Sequence, residues 1–302
     1  YYLACFTSIH FEAMKTGLEG LPRHQLPRLG IVLMRQGYLF IPVILIVAMM
    51  IKGYTPMLAA VMAIASVVLL TLGKEILTLL LGRSQETWGM MSMRMLRTIL
   101  GAMEMGAKGT VVVAAACACA GIIIGIIFLT GLGLKFTLLV KVASMGKLFL
   151  ALIFTMFAGM ILGMGLPTTP AYIVQAALLI PALVELGVIL PAAHLFAFYF
   201  AIISAITPPV ALAAYAAAGL ADTNAMRTGL ESFKLGLAGY VVPFMFVYGP
   251  TLLIIGEMQD IVRTLITASI GVVALASGIQ RYFFRKNSVL EQILFFSSAF
   301  ML

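Results

Sequence analysis

Residues 148–184 contain no Asp, Glu, Lys or Arg, and neither do residues 186–221. At about 1.5 Å per residue each stretch would make a straight helix about 55 Å long. The hydrocarbon core of a bilayer is roughly 30 Å thick. Neither stretch can therefore cross as one helix, so each must fold back or break. The break points are written in the residues: Gly163-Met164-Gly165-Leu166-Pro167-Thr168-Thr169-Pro170 in the first, Ser204-Ala205-Ile206-Thr207-Pro208-Pro209 in the second. Proline withdraws a helix donor and pushes the residue before it out of the helical region.

That a bilayer is the right reference follows from composition. The chain is 63% hydrophobic and 10% charged, whereas soluble domains run at about 45–50% and about 25%. Lipid cannot satisfy backbone N–H and C=O groups, and the apolar runs are long and contiguous, so the fold class is an all-α integral membrane protein. The architecture expected is a polytopic helix bundle with one re-entrant hairpin and one broken helix. Further apolar runs lie at 37–51, 54–72, 109–130, 236–255 and 264–280, with Lys52-Gly53 as a tight turn between the first two. Residues 1–11 read as the tail of one helix, and 289–302 as the start of another. The opening without Met and the close inside an apolar run give the reading of an internal piece of a longer protein.

The charges orient the bundle. With 12–36 on the cytoplasmic side and the two broken stretches together making one net crossing, 14 of the 19 Lys and Arg fall on cytoplasmic connectors and five on the opposite ones. This is the positive-inside bias. The count does not say which stretch is the hairpin. The net charge of +8 is scattered over these connectors, so no nucleic-acid partner is implied. Cys5, Cys117 and Cys119 sit among apolar residues and read as packing positions. Residues 91–108 carry Arg97, Gly101, Glu104 and Lys108 on one face and Leu96, Ile99, Leu100 and Met103 on the other. This pattern predicts an interfacial helix along the headgroups, with Arg83 and Trp88 at its approach.

Unwound backbone at membrane depth persists only where it lines a cavity or is buried in protein. Secondary transporters use such breaks to hold coupling ions on freed carbonyls and to face anions with half-helix N-termini. Here the breaks carry Thr168, Thr169, Ser204 and Thr207, neutral oxygen donors suited to Na⁺. The expected ion or substrate site is Gly163, Gly165, Thr168, Thr169, Ser204 and Thr207, with Tyr172, Gln175 and Tyr215 as candidate cavity residues, and the two breaks are expected to meet. The alternative is a pair of proline kinks whose hydroxyls bond back to their own helices, in a structural or assembly subunit that transports nothing. No carboxylate lies in either stretch to relay protons, no Walker motif is present, and His194 reads as packing at a helix start. No enzymatic activity and no cofactor are expected, Na⁺ acting only as coupling ion.

Gly163 to Tyr172, Ala193-His194-Leu195-Phe196-Ala197-Phe198-Tyr199-Phe200, and Ser204 through Tyr215 resemble the membrane component of TRAP transporters, the tripartite ATP-independent periplasmic family. His10-Phe11-Glu12-Ala13 with Gly17-Leu18-Glu19-Gly20-Leu21-Pro22 is similar to the fused membrane subunit of its TAXI branch. The resemblance implies Na⁺-coupled import of a small organic, carboxylate-bearing solute by an elevator mechanism. It also implies a periplasmic substrate-binding protein as partner and a bacterial or archaeal inner membrane. It makes 148–184 the re-entrant hairpin with its tip at 163–169, and 192–220 the broken crossing helix. The family fold holds two inverted repeats. One set is visible here, so the chain reads as half of that fold, its N-terminal part missing and not expected to transport alone. The implied division is 1–36 helix end and connector, 37–108 scaffold, 109–234 transport part, and 235–302 C-terminal helices.

Overall fold

A computed structural model of the chain describes residues 2–18, 20, 22, 26–80 and 88–301. The described residues are helical almost throughout, with a single isolated bridge between Tyr282 and Lys286. The chain divides into two compact units, Tyr1–Glu19 with Val111–Leu302, and Gly20–Thr110. Helix α1 (Tyr2–Thr16) belongs to the first; α2 (Leu29–Gln36), α3 (Ile41–Ile51) and α4 (Pro56–Leu80) belong to the second. Then follow α5 (Trp88–Thr130), α6 (Leu132–Ala143), α7 (Leu148–Gly163), α8 (Thr168–Glu185) and α9 (Leu190–Ile203). The chain closes with α10 (Leu212–Leu220), α11 (Ala225–Tyr248), α12 (Met258–Gln280) and α13 (Val289–Met301).

In the smaller unit α3 and α4 pack as a hairpin. Gly53, at φ +81°, supplies the left-handed residue of the tight turn, a conformation in which a Cβ is unfavourable. The Thr55 hydroxyl accepts the Leu58 N–H at 3.4 Å and starts α4. Lys74 donates to the Tyr38 hydroxyl at 3.2 Å and lies over its ring.

The larger unit is built around α9. Phe196 and Phe200, one turn apart, are fully buried and meet edge to face at 4.9 Å. Leu152 and Met160 of α7, Ile180 and Leu183 of α8, and Tyr240 and Val247 of α11 close around them. A second core joins Phe11 of α1, Val242 of α11 and Leu275 of α12. Two helix starts in this unit are capped by side chains. The Asn224 side chain accepts the Arg227 N–H at 3.0 Å to start α11. Ser288 and Glu291 form a reciprocal capping box at α13, with bonds of 3.3 and 2.7 Å.

Among the described residues, five helices are long and apolar enough to cross a membrane: 56–74, 92–130, 168–185, 225–248 and 258–280. The 16-residue α7 and 14-residue α9 reach only about 24 and 21 Å as straight helices.

Residues 91–108 are continuous with the apolar run that follows them: α5 runs unbroken from Trp88 to Thr130. Nothing in that run removes a backbone donor, and glycine alone lowers helix propensity without ending a helix. Residues 131–147 contain α6, whose Thr137 and Val140 are buried, Val140 beside Ala151 and Ala182. Arg83, Glu19, Leu21 and the side chain of Trp88 lie outside the described residues.

Candidate functional site

Both charge-free stretches break where their prolines and glycines fall. In the first, α7 ends at Gly163, an extended Met164 and a left-handed Gly165 (φ +77°) turn the chain, and α8 begins at Thr168 behind Pro167. Pro170 sits in the first turn of α8, where its missing N–H costs no helical bond. In the second, α9 tightens into a 3-10 turn over Ser204–Ile206, and the chain passes Thr207 and Pro208-Pro209 before α10. Ala211 closes this break at φ +30°, a strained conformation for a residue with a Cβ.

The two breaks meet. A Cβ built on Gly163 would lie 2.6 Å from Ser204 Oγ, 3.0 Å from Ser204 Cβ and 3.2 Å from Gln175 Nε2. Gly165 faces the Val210 side chain at 3.9 Å on the same measure. One turn below, a Cβ on Gly159 would lie 3.0 Å from Gln175 Oε1 and 3.3 Å from Phe200 Cβ. Gly159 and Gly163 thus form a small-xxx-small groove on α7 that admits α8 and α9 at close range. The sequence reading named Gly163 and missed Gly159. The four-residue spacing of the two glycines was the available signal.

Gln175 joins these parts. It is fully buried, and its Nε2 donates to the Gly159 carbonyl at 2.9 Å. Its Oε1 is buried with no hydrogen-bond partner. Leaving such an acceptor unpaired costs about 1–3 kcal/mol. Ser204 donates to the Ala201 carbonyl at 2.8 Å, which leaves its oxygen lone pairs available. The cluster therefore offers neutral oxygen atoms and no charge, the donor chemistry of a hard monovalent cation.

The remaining expected residues stand apart from this cluster. Thr207, nearly buried, donates to the Ile203 carbonyl at 2.7 Å and is hydrogen-bonded to the Tyr240 hydroxyl of α11. Its single proton is used on Ile203, so Tyr240 is the donor. Thr168 and Thr169 are exposed at the first turn of α8. Tyr172 bonds His194 Nδ1 at 2.6 Å and packs edge to face on Phe198. Tyr215 donates to the Pro209 carbonyl at 2.5 Å and packs close to Gly229 of α11. His194 is thus a packing partner of the hairpin. Tyr240 was missed, because only the crossing of α11 over the break brings it to Thr207.

No group of three His, Cys, Asp or Glu side chains that could hold a metal ion occurs among the described residues. Comparison with known proteins finds no match among curated proteins or solved structures. A family model does match: that of the tripartite ATP-independent periplasmic transporter, DctM component, over residues 1–261. With that match covering most of the chain, and with a helical hairpin packed on a broken helix, the chain belongs to the DctM family, the large membrane component of TRAP transporters.

Proposed function

We propose that the chain is the Na⁺-coupled import part of its transporter, taking up a small organic, carboxylate-bearing solute handed over by a periplasmic binding protein. TRAP transporters of this family work with such a protein and with a small membrane component, and the opening residues favour the fused TAXI arrangement. The observation that carries the reading is the buried, unpartnered Gln175 Oε1 close to Gly159 of α7, on a side chain whose Nε2 lies close to Gly163, where the two breaks meet. Na⁺ prefers oxygen ligands, and half-helix breaks free carbonyls for it. The α8 N-terminus, with Thr168 and Thr169 exposed on it, presents free N–H groups and a positive dipole end to a carboxylate. The hairpin and broken helix carry the solute by sliding as an elevator, and the complete transporter includes a first repeat N-terminal to this chain. The membrane is the inner membrane of a bacterium or archaeon.

The experiment is uptake by the full-length protein in proteoliposomes, with its binding protein supplied outside. Uptake driven by an inward Na⁺ gradient and absent with K⁺ is the expected result. Uptake indifferent to Na⁺ would remove the coupling ion from the reading. No uptake with every component present would leave the structural-subunit alternative.

A further inference from the structure

The C-terminal ends of α1 and α12, the first half of α11 and the start of α13 line a cavity of about 480 Å³. Three cations from three separate segments converge on it: Lys15, Lys234 and Arg281. Its apolar wall is Leu237, Ile279 and Phe296. Gly278 lets that wall close, since a Cβ there would lie 3.3 Å from the Phe296 ring.

The charges do not cancel. Glu12 lies 3.3 Å from Lys15 and 3.6 Å from Lys234, and Glu231 lies 3.3 Å from Lys234. Arg281 forms no ion pair among the described residues, so two carboxylates face three cations and one positive charge remains. Arg281 also holds a left-handed backbone (φ +58°) at the C-cap of α12, where glycine is the usual and less strained occupant. A guanidinium is placed on the cavity in spite of that strain. All three cations belong to segments that the charge asymmetry puts on the cytoplasmic side, at headgroup level.

We propose that this cavity binds an anionic phospholipid, its phosphodiester against Lys15, Lys234 and Arg281 and an acyl chain against Leu237, Ile279 and Phe296. Basic pockets between membrane helices on the cytoplasmic side suit such headgroups, and the single uncompensated charge matches one phosphodiester. Free phosphate shares the anion chemistry but makes no use of the apolar wall. The assignment is independent of the coupling ion and solute.

The test uses the full-length protein in neutral detergent, titrated with phosphatidylglycerol or phosphatidylcholine and read by native mass spectrometry. Phosphatidylglycerol should be retained in preference, and Arg281→Gly should weaken that retention about fivefold, the worth of one cation near a lipid surface. Arg281→Gly relaxes the strained C-cap, so its lipid-free melting temperature should not fall. Should it fall, Lys234→Gln provides the same comparison. Inorganic phosphate at equal concentration should displace nothing. Equal retention of the two lipids, undiminished phosphatidylglycerol binding in both variants, or displacement by inorganic phosphate would each overturn the proposal.

Discussion

The side chain of Ser204 occupies the space that a methyl group on Gly163 would need, with Oγ 2.6 Å and Cβ 3.0 Å from that position. The tip of the hairpin and the break in the second stretch are therefore matched surfaces. Gly163→Ala should force them apart and destabilise the protein by about 1–3 kcal/mol, the usual cost of overpacking. Ser204→Gly removes both offending atoms. The double variant Gly163→Ala/Ser204→Gly should thus recover most of the lost stability, a coupling that thermal unfolding of the four proteins in one cycle would measure. Additive losses would mean that the two elements separate in solution.

Gln175 separates packing from ion binding. Gln175→Leu removes the unpaired Oε1 along with the Nε2 bond to Gly159. If the side chain serves packing alone, losing a buried orphan acceptor offsets the lost bond, and net stability changes by less than about 1 kcal/mol. The Na⁺ reading adds a second outcome. The rise in melting temperature on adding NaCl in place of KCl should be present in the parent and absent in Gln175→Leu. An unchanged Na⁺-specific rise would exclude Gln175 from the site.

What the sequence showed and what it concealed divide along physical lines. The breaks were legible because proline and glycine act locally, and Gly163 through Pro170 lie where α7 gives way to α8. The start of α11 is local in the same way, since the Asn224 side chain accepts the Arg227 N–H three residues on. The continuity of α5 through residues 91–108 was not legible, because a polar stripe reports surroundings, whereas the continuity of a helix depends on backbone donors, and none is missing there. Among the site residues, Gly163 and Ser204 meet, but Thr207 is tied instead to Tyr240, and Tyr172 to His194. Which hydroxyl finds which partner depends on how helices cross, and no spacing within one segment encodes that.

The Tyr240 hydroxyl anchors the second break to α11 through Thr207. Tyr240→Phe keeps the ring, which packs on Phe200 and Phe233, and removes only the donor. Thr207 keeps its bond to Ile203. The loss should be about 1 kcal/mol, one neutral hydrogen bond, seen as a lower unfolding midpoint. Thr207→Val removes both bonds and should cost more. Equal losses in the two variants would show that the α11 contact accounts for all of Thr207's contribution.

In residues 148–221 the only Asp, Glu, Lys or Arg is Glu185, and Gly159, Gly163 and many alanines let these helices pack closely. A block of this kind can shift across the bilayer without dragging charge through it. Residues 37–72 carry Lys52 at their turn and expose bulky aliphatics such as Ile44, Val47, Val61 and Ile64 along both helices, as a lipid-anchored scaffold would. An elevator requires the first group to slide against the second, whereas a rigid bundle does not. Cysteine pairs placed one in 37–72 and one in 148–221 distinguish them, with Cys5, Cys117 and Cys119 replaced so that only the new thiols react. Joining a pair with a cleavable cross-linker should stop uptake by the full-length transporter, and cleaving the link should restore it. Uptake that continues at the parent rate while the groups stay joined would mean that the solute crosses without any such sliding.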